Sequence, residues 1–213
     1  MGRFFLLILL LAGQLDNPLS GQSRPSRPDK GGAGLRCGPL ADQRFKCPQF
    51  AFSVKVPFGW VDRTRDMDER SESAAGDAIR PTAEPSGSEV LLAVFEHPPE
   101  VVGDTINSAL IIAAEPLSSY PGIKAAADYF GPITDLAEQR GFTVATEPYA
   151  VRVGSQRLIR GDFSRSQGKL TMWQSSLVMV EKRFIVSFTF VGGSDEEIDG
   201  LIEQLNFSSP KPK

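Results

Sequence analysis

The chain has 213 residues, 41% hydrophobic and 23% charged, an ordinary globular composition with enough apolar side chain for a core of its own. A formal net charge of -3 excludes the basic footprint of a nucleic-acid binder. The length admits one or two domains.

The chain starts with Arg3 and an unbroken apolar run, Phe4 to Ala12, followed by small residues at Ser20 and Gly21. This order reads as a secretory signal over residues 1–21. The run is too short for a membrane span, which needs about 20 apolar residues, so no transmembrane segment is expected once the signal is removed. Gln14 stands where a bacterial lipoprotein would need cysteine, so lipid attachment there has no thiol to use. Residues 22–36 are rich in Ser, Arg, Pro and Gly and read as a disordered linker, its Arg24, Arg27 and Lys30 solvated.

A single domain is expected over 37–213. Cys37 and Cys47 are close in sequence, each beside a turn former, and an oxidising compartment favours joining them in a disulfide. Phe50, Phe52, Val54 and Val56 alternate with smaller or polar residues, which predicts a strand with one buried face. Pro57-Phe58-Gly59-Trp60 predicts a turn. Residues 62–88 carry many charges and few apolar positions without periodicity, so they read as a long polar loop, a common place for function. Val90–Phe95 and Ala109–Ala114 are continuous apolar runs and predict central strands covered on both faces.

Gly122–Arg140 has a helical period interrupted at Gly131-Pro132, which predicts a kink or two short helices. The last third reads as a strand meander. Its strands are Tyr149–Val153, Gln156–Phe163, Leu170–Val180 and Phe184–Val191, with turns at Gly154-Ser155, Ser166–Lys169 and Glu181–Arg183. Ser194 with Glu197 forms a capping box, and Ile198, Leu201, Ile202 and Leu205 follow at helical spacing.

The inventory of reactive groups is thin. His97 is the single histidine, sits before Pro98-Pro99, and has no G-x-S-x-G elbow to serve. One histidine and two paired cysteines do not make a zinc site. Asp66 to Glu69 resembles a calcium loop only in charge, because Arg70 and Ser71 stand where a ligand oxygen and a glycine are needed. Gly168-Lys169 lacks the rest of a phosphate loop and reads as a turn. Glu96, Glu115, Asp128, Asp135 and Asp162 remain open as members of a carboxylate pair. Phe184, Phe188, Phe190 and Trp173 read as core before ligand platform, and Asn206-Phe207-Ser208 matches a glycosylation sequon.

The run Phe52-Ser53-Val54-Lys55-Val56-Pro57-Phe58-Gly59-Trp60 resembles the F-x-(I/V)-x-x-P-x-x-W opening of the PsbP and Mog1 family. The later order is similar as well: two apolar strands, a helix from near Ala125, a hairpin at Gly154 and a closing helix from Asp195 to Leu205. The resemblance spans about residues 50–207. It implies an α+β fold, an α/β/α sandwich around a central, mainly antiparallel sheet. It also implies a role without catalysis, since members include photosystem assembly subunits and a binder of a small GTPase.

The expectation is therefore a non-catalytic exported protein, periplasmic or extracellular, that binds a protein partner or supports an envelope assembly. No cofactor, metal or nucleic acid is expected. The alternatives are a small-ligand module with a pocket between sheet and helix near Trp60 and Trp173, and, further off, a carboxylate hydrolase. The candidate contact residues are Trp60, Arg63, Arg65, Asp66, Asp68 and Trp173.

Overall fold

A computed structural model describes residues 35–75, 88–101 and 104–208. The expected signal, most of the expected linker and the second half of the expected polar loop lie outside the described residues.

Ten strands form two antiparallel sheets among these residues. The small sheet holds β1 (Arg44–Cys47), β2 (Phe52–Lys55) and β10 (Leu205–Phe207), in the order β1-β2-β10. The large sheet has seven strands: β3 (Val61–Asp62), β4 (Glu89–Phe95), β5 (Ala109–Pro116), β6 (Thr143–Val153), β7 (Gln156–Gln167), β8 (Leu170–Glu181) and β9 (Phe184–Gly192). Their order is β3-β4-β5-β9-β8-β7-β6, and every pairing is antiparallel.

The apolar runs make their strands central for the expected reason. β5 is buried at every position and β4 at all but Glu89, so neither face of either strand meets water. One face of the sheet packs on α3 (Asp195–Ile202) and the small sheet, through Leu110, Ile112, Phe188, Ile198 and Phe207. The other face packs on α1 (Thr64–Ala75) and α2 (Phe130–Gln139), through Ile111, Val178, Met67, Ile133 and Ala137. Helices thus cover both faces of a central antiparallel sheet, an α+β sandwich, with a second small sheet sharing the α3 layer.

Aromatic packing fixes the small sheet to the large one. The Phe52 ring meets Phe188 edge-on with centroids 5.0 Å apart, and Phe207 meets Phe188 in the same way at 5.9 Å. Such pairs add about 0.5–1.5 kcal/mol to the area they bury. On the opposite face, Gly161 lets α2 approach: a Cβ there would stand 2.5 Å from Cε1 of the buried Phe130 ring.

Several boundaries differ from the sequence expectation: β6 begins at Thr143 rather than Tyr149, β7 runs on to Gln167, and four further departures have a clear physical reason. Residues 64–75 form α1, not an irregular loop. Among its described side chains Met67 is the apolar one that packs on the core, and polar bonds, which periodicity does not register, hold the start of the helix. Phe50 belongs to a 3₁₀ turn, Pro48–Phe50, because Ala51 adopts a left-handed φ of 55° and breaks the strand before Phe52. Phe50 is buried all the same, edge-on to Phe184. Leu205 leaves the helical series and enters β10 opposite Val54. Leu35, expected in the linker, packs on the core, and its N–H points to Glu89 at 3.5 Å.

Gly131-Pro132 does not interrupt the helix but falls in the first turn of α2, where proline is tolerated; the junction lies before it, between a 3₁₀ turn at Ala126–Tyr129 and Phe130. Ser194 caps α3, its Oγ accepting the Glu197 N–H at 3.2 Å. The Glu197 carboxylate turns back to the Gly193 N–H at 2.8 Å and to the Ser108 hydroxyl.

Cys37 and Cys47 are joined, closing a loop with a sequence separation of 10, and Cys47 is fully buried. In the chain-entropy account such a loop contributes about 2.5 kcal/mol. Replacing both cysteines by serine should lower the urea midpoint by the equivalent of that loss without changing the far-ultraviolet dichroism. A midpoint within experimental error of the parent would show that the cross-link stabilises nothing.

Candidate functional site

The two buried carboxylates that the sequence leaves open, Glu115 and Asp162, lie on opposite faces of the sheet and do not pair. Glu115 lies on the α1/α2 face, 2% exposed, and accepts hydrogen bonds from the Tyr120 hydroxyl at 2.6 Å, the Ser88 hydroxyl at 3.2 Å and the Tyr129 hydroxyl. Burial pushes its carboxyl above the ordinary value, and the three hydroxyl donors pull the other way. Burial first, and the neighbouring carboxylate second, hold both phenols far above their usual range, so Tyr120 and Tyr129 stay donors. The tyrosine rings pack edge-on at 5.3 Å. The cluster ties the segment after β5 and the start of the helical layer to the sheet.

Asp162 lies on the opposite face, in β7. The Arg160 Nε donates to it at 2.8 Å, and the Ser175 hydroxyl donates to the same oxygen. The Arg160 Nη1 donates to Asp199 of α3 at 2.6 Å, so one guanidinium joins sheet and helix. Burial alone would lower the Arg160 guanidinium; its bonds to Asp162 and Asp199 outweigh that and raise it. Asp128 accepts the N–H groups of Lys124 and Ala125 at 2.9 Å each, a turn-capping role. Glu96 lies 3.8 Å from the exposed His97. Among the described residues, no three His, Cys, Asp or Glu side chains gather closely enough to hold a metal ion. No described helix is long and apolar enough to cross a membrane.

The predicted contact residues separate into two groups. Trp60 and Trp173 are half-buried on the same apolar layer. Trp60 leads into β3 and Trp173 lies in β8, four strand spacings away, about 19 Å. Arg63, Arg65, Asp66 and Asp68 lie at and within the start of α1. Arg63 pairs with Asp66 and Glu100, each at 3.1 Å. Asp68 accepts the Val90 N–H at 3.0 Å, beside the bulge in β4. Thr64 Oγ1 accepts the Ala93 N–H at 3.0 Å and donates to Asp62 at 2.6 Å. Those bonds explain how so polar a helix stays on the sheet. Arg65, Asp66 and Glu69 remain exposed on its outer side.

Between β2 and β3 the Pro57–Trp60 turn presents Phe58 with 86% of its surface exposed. Pro57 fixes one torsion, and Gly59 supplies a φ of 86° that a side chain would resist. The turn leaves from β2, which is paired on both sides by β1 and β10. Phe58 therefore stands on a rigid base. Sequence reading named Trp60 here and passed over Phe58. A large apolar residue enclosed by Pro and Gly, where a turn forbids it a core position, is the signal that was present.

No family model matches the chain, and no curated protein matches it significantly. Solved structures do. One is the Saccharomyces cerevisiae Ran-binding protein Mog1p, 10% identical, with a TM-score of 0.39 over 82% of this chain and 96% of that one. Another is LpqN of Mycobacterium tuberculosis, involved in cell envelope biogenesis, 14% identical, with a TM-score of 0.38 over 74% of this chain and 83% of that one. A third is PA94 of Pseudomonas aeruginosa, a protein of unknown function, 12% identical, with a TM-score of 0.38 over 63% of this chain and 90% of that one. Mog1p belongs to the family that the Phe52–Trp60 run resembles. Likeness at this level carries no inference about what the chain binds.

Proposed function

We propose that this chain is an exported, non-catalytic protein that engages a protein partner through the Pro57–Trp60 turn and the adjoining start of α1. The observation that carries the reading is Phe58, an aromatic ring 86% exposed on a turn held by a paired strand. Exposed aromatics on rigid supports are the usual anchors of protein interfaces, because they bury much area for little lost freedom. Trp60 beside it and the exposed Arg65, Asp66 and Glu69 supply an amphipathic margin. Export is supported by the signal-like start and by a disulfide in the folded core.

The test is a photo-crosslinking phenylalanine analogue placed at position 58 and, as a control, at Tyr149 in the source organism. A discrete protein adduct at 58, absent at 149, is expected. Phe58→Asp should abolish capture of that protein while leaving the melting temperature unchanged, since the ring contributes little to the fold. Identical adducts at both positions, or none at 58, would remove the turn from the interface.

A further inference from the structure

At one end of the large sheet, local structural rules are broken twice, each time to hold cations. The hairpins β6–β7 and β8–β9 both turn there, side by side in the order β9-β8-β7-β6. Their turns, Gly154-Ser155 and Lys182-Arg183, lie about 10 Å apart, two strand spacings.

The register of β6 and β7 sets Arg152 directly opposite Arg157. Val153 and Gln156 close the two-residue turn, with Gly154 at a φ of 56°, as a type II′ turn requires of its first central residue. The next pair out, Arg152 and Arg157, is then of the non-hydrogen-bonded kind, in which facing side chains stand closest. Like charges directly opposite destabilise a sheet. Both arginines are exposed, and the ion pairs among the described residues leave both unmatched.

The second departure is in the neighbouring turn. Lys182 and Arg183 adopt φ of 50° and 67°. Successive positive φ values mark a type I′ turn, where Asn and Gly are favoured and long side chains are strained. The Lys182 ammonium donates to the Gln49 carbonyl at 2.5 Å, a structural reason for that residue. The exposed Arg183 side chain has no ion pair among the described residues, and its carbonyl accepts the Leu117 N–H at 2.8 Å. Of the acids toward this end, Glu115 lies buried under its hydroxyl donors, Asp128 caps two N–H groups and Glu89 accepts the Leu35 N–H, while the half-buried Glu181 forms no ion pair with the three arginines.

We infer that this end of the sheet, through Arg152, Arg157 and Arg183, docks on a surface of anionic phospholipid headgroups. The cations sit on two adjacent hairpins at the sheet end, Arg152 and Arg157 in the last rungs of one and Arg183 in the turn of the other, which suits an array of phosphates better than one enclosed ion. The opposite end carries exposed Glu100, Asp195 and Glu196 and leads to Phe58 by way of the Val61–Phe95 pair. The molecule would therefore stand with Phe58 directed away from the lipid. The inference does not depend on what Phe58 binds.

The test is flotation of the full chain with vesicles of phosphatidylglycerol or phosphatidylcholine. The apolar run Phe4–Ala12 is common to every variant, and its contribution cancels in the comparison between variants. Each cation near an anionic surface is worth about five-fold in partitioning, so Arg152→Gln, Arg157→Gln and Arg183→Asn together should lower binding to phosphatidylglycerol about 100-fold. Binding to phosphatidylcholine should not change. About 1 M salt, where the screening length is about 3 Å, should abolish the difference between the two lipids. The same variant should melt at an equal or higher temperature, because it removes opposed charges and turn strain. Arg65→Gln on α1 should leave binding intact. Binding to phosphatidylglycerol that survives the triple substitution, or falls as much with Arg65→Gln, overturns the inference. So does saturable binding of inorganic phosphate or poly-glutamate with anionic vesicles ignored.

Discussion

Glu115→Ala is expected to cost about 3–5 kcal/mol of folding stability, a large share of the total for a domain of ordinary stability. The change removes the acceptor of three hydroxyl donors, two of them on buried tyrosines whose desolvation it no longer offsets. Glu115→Gln keeps an acceptor and should lose far less. The pH dependence separates charge from shape. The folded-state carboxyl sits above its ordinary value of 4.5 because it is desolvated. Its contribution to stability is therefore fully present below the unfolded pKa and is lost as pH rises through the folded one. Glu115→Gln cannot ionise, so its stability relative to the parent should improve from about pH 4 upward and then level off. Urea midpoints at several pH values measure this, and a constant offset would show that ionisation of Glu115 is irrelevant.

Arg160→Ala should cost about 3 kcal/mol, the low end for breaking a buried ion pair, since its side chain is 15% and that of Asp162 12% exposed. The loss leaves Asp162 with the Ser175 hydroxyl, and Tyr149 beyond it at 3.4 Å, but no cation. It also releases Asp199, so the expected signature is local. Amides of α3 should exchange faster than those of β5 and β9, as read by hydrogen exchange. The variant Arg160→Ala/Asp162→Asn should recover part of the stability, because the unpaired charge is gone. Uniform exchange across the sheet would mean that the guanidinium does not hold α3.

Much of the framework was legible because burial leaves periodic marks. The runs at 90–95 and 109–114 became the doubly covered strands they predict, and Ser194 capped the helix it precedes. Leu205 shows the limit of that signal: its spacing continues the helix, and its burial is achieved by a strand instead. α1 was illegible for the opposite reason. Its hold on the sheet comes from Thr64, Asp68 and the Arg63 backbone N–H, which donates to the Ala93 carbonyl of β4, contacts between residues far apart in sequence. The Glu115 cluster was hidden similarly, since nothing local sets Tyr129 over a carboxylate 14 residues earlier. Arg152 and Arg157 were within reach, being placed symmetrically about Gly154-Ser155. Only the register shows that the two charges face each other.

The order β1-β2-β10 has a consequence for how the molecule is made. Phe52 and Val54 find their partners in Phe207 and Leu205, so β2 is flanked on one side by residues that arrive about 150 positions later. Contacts so distant in sequence close late, because the intervening loop loses much freedom when its ends meet. A chain appearing from its N-terminus cannot complete this layer until residue 207 has cleared the ribosome. The Phe52, Phe188 and Phe207 cluster acts as a clasp fastened last, over a seven-stranded sheet whose own pairings end at residue 192.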